Sequence, residues 1–265
     1  MTARIGTVLT GVLRTQRRSL ALWAVAIAAV SAMYSAFYPA IGQVKFEAMM
    51  ESMPPELVTA MGFESMSTAA GYISATVYSL LGAVLVLVCS IGLGARLVAG
   101  NEEDGLLELE LSAPVSRRRV YLERLAALWV TVLVLVLAVT AILLLLSVTM
   151  DLGLVAGNLV AAGAGLLLFG GALGTLALAV GAVTGRRGFA LGTASAVAVL
   201  AYLFGYIGPL VEADWMEAVS PYHWDVGTEP LINGVDWPGL GLLLALALVP
   251  AVAGLLRFDR RDVMV

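Results

Sequence analysis

The sequence predicts an all-α membrane protein of six transmembrane helices, and three observations predict it. Hydrophobic residues make up 60% of the 265 and charged residues only 13%, with a mean hydropathy of +0.95, well beyond what a soluble domain of this length shows. The charges cluster and leave uncharged windows at Ser19 to Gln43, Ser65 to Ala95, Leu125 to Met150, Leu152 to Gly185, Gly188 to Val211 and Trp237 to Leu256. Each window holds the roughly 20 apolar residues that cross a 30 Å hydrocarbon core. Finally, 14 of the 15 basic residues fall on one side of the resulting topology and only Lys45 falls on the other. Basic residues in short loops stay in the cytoplasm, so both termini are expected there, in a multi-pass protein of the plasma (inner) membrane. Residues 1–265 read as one six-span domain.

In chain order, residues 1–18 come first. Ile5, Val8, Leu9, Val12 and Leu13 share one helical face, with Arg4, Arg14 and Arg17 off it. That pattern predicts an amphipathic helix lying at the inner membrane surface. A cleavable signal peptide fits less well, because the apolar run from Ser19 to Tyr38 exceeds an ordinary signal core. An outer loop over 42–71 follows the first span. Its MPPELVTAMGFE stretch has Pro54 and Pro55 to start a short helix and Gly62 to stop it. The fourth window is too short for two spans and a turn, so it is one helix entered through a glycine-containing loop. Within it Gly170 and Gly174, then Gly181 and Gly185, form small-xxx-small steps that allow close helix approach, favouring packing within the chain over a dimer seam. The last outer loop, 212–237, is acidic and aromatic, with Trp215, Tyr222, Trp224 and Trp237 suited to an interface and its scattered acids read as solvated.

The densest charge lies in the loop over 98–119. Glu102, Glu103 and Asp104 suit a helix N-terminus, Leu106 with Leu109 and Leu107 with Leu111 form i+3 and i+4 pairs, and Pro114 ends the run. Ser116 is placed to cap a second helix that begins among Arg117 to Arg119 and continues into the third span. A helix, a break and a helix start make a rigid charged protrusion suited to a soluble partner. Equally, acids solvate a loop and arginines hold topology with no partner at all.

Catalytic chemistry has no foothold. His223 and Cys89 lie apart and no disulfide can form within the chain. The single Lys45 follows Val44, so there is no P-loop. No span carries a mid-membrane charge, which disfavours an ion-coupled carrier. Hydroxyls do occur in the spans: Ser74, Thr76 and Tyr78 near the outer end of the second, and Tyr202 with Tyr206 in the outer half of the fifth. Aromatic-belt anchoring accounts for these tyrosines at least as well as substrate contact does.

The run from Glu102 to Arg117, with its acidic pair, Gly, Leu-Glu and Leu-Ser-x-Pro-hydroxyl-Arg, resembles the cytoplasmic loop of the type-2 ATP-binding-cassette exporter permeases. The resemblance extends to the six spans, the N-terminal helix and the segment SPYHWDVGTEPLINGVDWPG, and so covers essentially the whole chain. It implies a transmembrane subunit, not itself an enzyme, that moves an apolar or amphiphilic substrate outward. A separate ATPase subunit would hold the ATP and its Mg, leaving this chain without a cofactor. It also implies a coupling helix in which Glu102, Glu103, Gly105, Leu107, Glu108 and Leu111 dock or shape the contact, while Ser112, Pro114 and Arg117 fix its exit. A second permease copy or homologue and membrane lipid complete the implied partners, with no nucleic acid. A path between the second and fifth spans would make Tyr78, Tyr202 and Tyr206 lining candidates. Asp104 departs from the pattern, which often has a base there. The reading from a different class is a membrane scaffold or immunity protein that transports nothing.

Overall fold

The apolar window after Ser19 does not begin a helix of its own. In the computed structural model, which describes residues 7–51, 66–107 and 115–261, helix α1 runs unbroken from Thr7 to Glu51. The surface helix expected over residues 1–18 is therefore not set apart from the first span: from Thr7 onward it is the opening of α1. The physical reason lies in what its apolar face meets. Val8 is buried, Val12 packs against the same core, and the carboxylate of Glu123 accepts the backbone N–H groups of Val8 and Leu9 at 2.8 and 3.1 Å. A side chain from another helix thus supplies the anionic cap that the start of α1 lacks. At its other end α1 continues into the expected outer loop as far as Glu51, and the helix expected over MPPELVTAMGFE lies outside the described residues.

Helix α2 spans Ala69–Glu103, begun by Thr68, whose hydroxyl accepts the Gly71 N–H at 3.0 Å. Two stretches, Ser74–Leu81 and Arg96–Gly100, are wound as π-helix. Such turns hold more residues than an α-turn and re-aim the side chains beyond them. Helix α3, Arg117–Thr149, is capped by Ser116 through the Arg119 N–H at 3.4 Å, as its position predicts. Helix α4, Ala156–Thr184, follows a loop through Gly153 and ends at Gly185, both in the left-handed region. Helix α5 covers Arg187–Leu210. Three short helices come next: α6, Asp214–Val219; α7, Pro221–Val226; and α8, Pro230–Asn233. Helix α9, Trp237–Arg260, is the last described helix, with Asp236 as its cap and Arg257 and Arg260 in its last turn, where cations suit the helix dipole.

Six of these helices are long and apolar enough to cross a membrane, which makes the chain a multi-pass membrane protein, and no strand occurs among the described residues. Helix α4 is the axis. Its most apolar stretch is 72% buried, against 17% in α1 and 22% in α5 and α9, and it packs on α2, α3, α5 and α9. Its glycines make that possible. A methyl group at Gly170 would lie 2.8 Å from Val86, one at Gly171 would lie 2.5 Å from the Trp129 ring, and one at Gly181 would lie 3.2 Å from Ala99. Gly170, Gly174 and Gly181 are thus met by α2 and α3 of the same chain, backbone close to backbone where a methyl group at Gly174 would lie 3.0 Å from the Ser90 carbonyl oxygen. The arginine-rich ends of the spans gather at one end of the bundle, and α6, α7 and α8 lie at the other.

Candidate functional site: a charged loop, a lateral cleft and an inserted helix

At the basic end, the loop leaving α2 is tied down by its own acids. The Glu102 carboxylate forms an ion pair with the Arg261 guanidinium, the two side chains only 6% and 11% exposed. Arg261 also donates to the Ala182 carbonyl at 3.1 Å, and Arg117 donates to the Arg261 carbonyl. Glu103 accepts the Arg187 N–H at 2.8 Å and so caps the start of α5. Gly105 sits at φ +69°, a turn that an L side chain resists, and Leu107 is fully buried in the core. The structure therefore brings Glu102, Glu103, Gly105, Leu107 and Arg117 together where α2, α3, α4, α5 and α9 meet. Glu108, Leu111, Ser112 and Pro114 lie outside the described residues. The exposed residues of the described loop are Glu103 to Leu106, with Ser116 and Arg118 on its far side. Arg261, which joins the loop to α9, entered the sequence reading only as a topology charge, because nothing in the sequence links residues 159 apart.

Between α2 and α5 lies a cleft of about 480 Å³. Leu87 and Ile91 line it from α2, Ser195 and Tyr202 from α5, Phe169 forms part of its floor and Tyr222 of α7 closes one end. Its walls are mostly apolar, with the Ser195 hydroxyl partway along α5 and the Tyr202 and Tyr222 rings at the α7 end. Tyr202 stacks on Tyr206, with ring centroids 5.8 Å apart and planes 7° apart, and meets Tyr222 edge-on at 5.1 Å. Of the tyrosines picked out from the sequence, Tyr202 lines the cleft and Tyr206 backs it. Tyr78 does not line it: at 2% exposure it is turned into the bundle, while Ser79 beside it faces the cleft. Both sit in the π-wound stretch of α2, so an ordinary helical repeat does not give their direction.

The third feature is α7 itself. The Ser220 hydroxyl caps α7 through the His223 N–H at 3.1 Å and donates to the Ala201 carbonyl of α5 at 2.6 Å. Pro221, Tyr222 and Asp225 are all buried. Asp225 lies against Gly165, where an added methyl group would meet its carboxyl carbon at 3.5 Å and its oxygen closer still. Gly165 is the tenth residue of α4, about 14 Å along that helix at 1.5 Å per residue. Residues 212–237 are therefore no plain outer loop. They carry three short helices, of which α7 is sunk between the spans with Tyr222 and Asp225 inside, while α6 buries no residue and Trp215 and Trp237 are exposed. Burial holds the Asp225 carboxyl well above the ordinary carboxylate range. Glu212 and Asp214 are exposed, as scattered solvated acids should be, and Asp225 is the departure.

Six spans, one of them a buried, glycine-rich axis with a lateral apolar cleft beside it, have the architecture of a membrane permease. A family model agrees over nearly the whole length: residues 6–259 match the family described as the multidrug efflux system permease Rv1217c, C-terminal domain. The chain belongs to that family. No curated protein matches it.

Proposed function

We propose that the chain is the transmembrane subunit of an ATP-binding-cassette exporter, which carries an apolar or amphiphilic molecule outward through the cleft between α2 and α5. The observation that carries this reading is the cleft. Its volume, about 480 Å³, falls in the range of sites for drug-sized molecules, its walls are apolar, and its tyrosine hydroxyls cluster at one end. A ligand can gain affinity from the walls and orientation from Tyr202 and Tyr222. Membership of a multidrug efflux permease family supports the same reading.

The basic end is cytoplasmic by the distribution of arginines. ATP and Mg bind in a separate ATPase partner, which meets the loop around Glu103 to Leu106. A second permease copy or homologue completes the pathway. The latches described above give the loop a physical means of coupling. Because Glu102 is paired with Arg261 and Glu103 caps α5, a push on the loop reaches α9 and α5 directly rather than being absorbed by a slack segment.

The test is efflux of a hydrophobic fluorescent dye from cells expressing the chain with candidate ATPase subunits. Ala198→Trp, which fills the cleft, is expected to abolish efflux while assembly with the ATPase persists. Equal efflux from that variant would remove the cleft from the path. Efflux that survives ATP depletion but follows an ion gradient would replace ATP coupling with ion coupling, and no efflux from any pairing would favour a scaffold.

A further inference from the structure

A second cavity, of about 590 Å³, opens at the basic end between α1 and α2 and reaches α3 and α5. Its lining is divided by chemistry. Three guanidiniums face it: Arg96 and Arg187 are exposed, and Arg124 is buried at 2% exposure. Thr15, Gln16 and Asn101 add hydrogen-bonding groups. Farther along, the wall is apolar, with Leu20 and Trp23 on α1 and Val88 and Leu93 on α2. From Arg96 back to Val88 is eight residues of helix, or about 12 Å toward the middle of the membrane.

No carboxylate lines this cavity among the described residues. The nearby acids are committed elsewhere: Glu123 to Arg119 and the first amides of α1, Glu102 to Arg261, and Glu103 to the Arg187 amide. Arg96 and Arg187, which form no ion pair among the described residues, therefore bring positive charge to the cavity. Its mouth lies at the level of the headgroups and its apolar limb at the level of the acyl chains. Basic pockets between membrane helices match anionic lipid headgroups.

We propose that this cavity binds an anionic phospholipid of the leaflet at the basic end, its phosphate held by Arg96 and Arg187 and one acyl chain laid along Leu20, Trp23 and Val88. The site adjoins the cleft between α2 and α5, with Val88 and Gly92 common to both walls, and its existence depends on the chain lying in a membrane, not on what the chain transports. Choline headgroups, whose cation offsets the phosphate, bind weakly there. Free phosphate, which cannot fill the apolar limb, binds weakly too.

Brominated phosphatidylglycerol, titrated into the full-length protein in zwitterionic micelles, tests this through Trp23. The expected result is saturable quenching of the fluorescence that Trp23→Phe removes, with brominated phosphatidylcholine requiring a far higher fraction. Arg96→Gln with Arg187→Gln should weaken phosphatidylglycerol by roughly 30-fold, about five- to sixfold for each exposed guanidinium. Should that pair fail to fold, as judged by helical circular dichroism, Leu20→Trp fills the apolar limb and leaves the arginines in place. It should abolish binding by the same assay, now read as lipid adducts in native mass spectrometry. Equal affinity for the two lipids, unchanged binding in the folded arginine or Leu20 variants, or displacement of the lipid by millimolar glycerol phosphate would each overturn the proposal, the last by making this a plain anion site.

Discussion

Replacing Gly94 by Ala tests whether the close approach of α2 and α4 holds the bundle together. The added methyl carbon would lie 3.0 Å from the Gly174 carbonyl carbon and 3.2 Å from the Ala177 methyl, with the Gly174 oxygen nearer still. Carbon atoms in contact prefer roughly 3.5–4.0 Å, so the helices must part by about half an ångström or more. The obstacle is backbone, which cannot swing aside as a long side chain would. It also belongs to the helix gripped by α2, α3, α5 and α9, so the strain has nowhere to spread. Overpacking of this kind costs about 1–3 kcal/mol, and a backbone obstacle places Gly94→Ala in the upper half of that range. Gly92 supplies the control, two residues away on the same helix: an added methyl there meets nothing within 4 Å. Gly92→Ala should be neutral or slightly stabilising, since Ala is the better helix former by roughly 1 kcal/mol. Melting in detergent micelles, followed by circular dichroism, should show Gly94→Ala lowered by about 4–12 °C, at roughly 2–4 °C per kcal/mol for a chain of this size. Equal melting of the two variants would refute the view that the glycine seam, rather than bulk hydrophobicity, sets the α2–α4 distance.

The buried carboxyl predicts a pH dependence. Since burial raises the folded-state pKa of Asp225 above its unfolded value, the folded protein holds that proton more tightly. Stability then falls as pH rises from the unfolded pKa to the folded one, at up to about 1.4 kcal/mol per pH unit, and levels off above it. Asp225→Asn keeps the shape and removes the titration, so its melting curve should be flatter with pH and higher than that of the unchanged protein at the alkaline end; parallel pH profiles would count against a buried acid there. The Glu102–Arg261 latch predicts a strong double-mutant coupling. Arg261→Met alone leaves a nearly buried carboxylate without this partner and should cost about 3–5 kcal/mol, while adding Glu102→Gln should recover much of the loss. Chemical unfolding of the two single variants and the double variant measures the coupling, and additive losses would show that the pair acts as two independent charges.

Which parts of this molecule were legible in its sequence follows from the range of the forces involved. Spans were legible because the cost of leaving backbone groups unpaired in hydrocarbon forces each long apolar window into a helix, whatever its neighbours do. Ser116 was legible as a boundary because capping is settled within a few residues. The opening of α1 was not: its apolar stripe suits a membrane surface and a helix neighbour equally, and the choice was made by Glu123, more than 100 residues away. The same holds for the charged loop, whose Glu102 and Glu103 have the composition of a free docking face but are partly spent on Arg261 and the start of α5.

Asp225 shows the limit most clearly, because its own segment looks like an outer loop, polar and rich in turn residues. The signal of its burial lies in the spans instead. Gly165 on α4 and Gly205 and Gly208 on α5 face α6 and α7, where a methyl group would strike Asp225, Ser220 or Glu217. Three glycines along two spans, with no helix of the bundle to explain them, mark a space that some other part of the chain must enter. In a membrane protein this reverses the usual direction of inference. The place where a polar segment re-enters the bundle is written less in that segment than in the missing side chains of the helices that receive it. Tyr222, which closes the cleft, and Asp225, three residues on, then owe their positions to one insertion. A change that expels α7, whether by charging Asp225 or by filling Gly165, must open the end of the cleft as well.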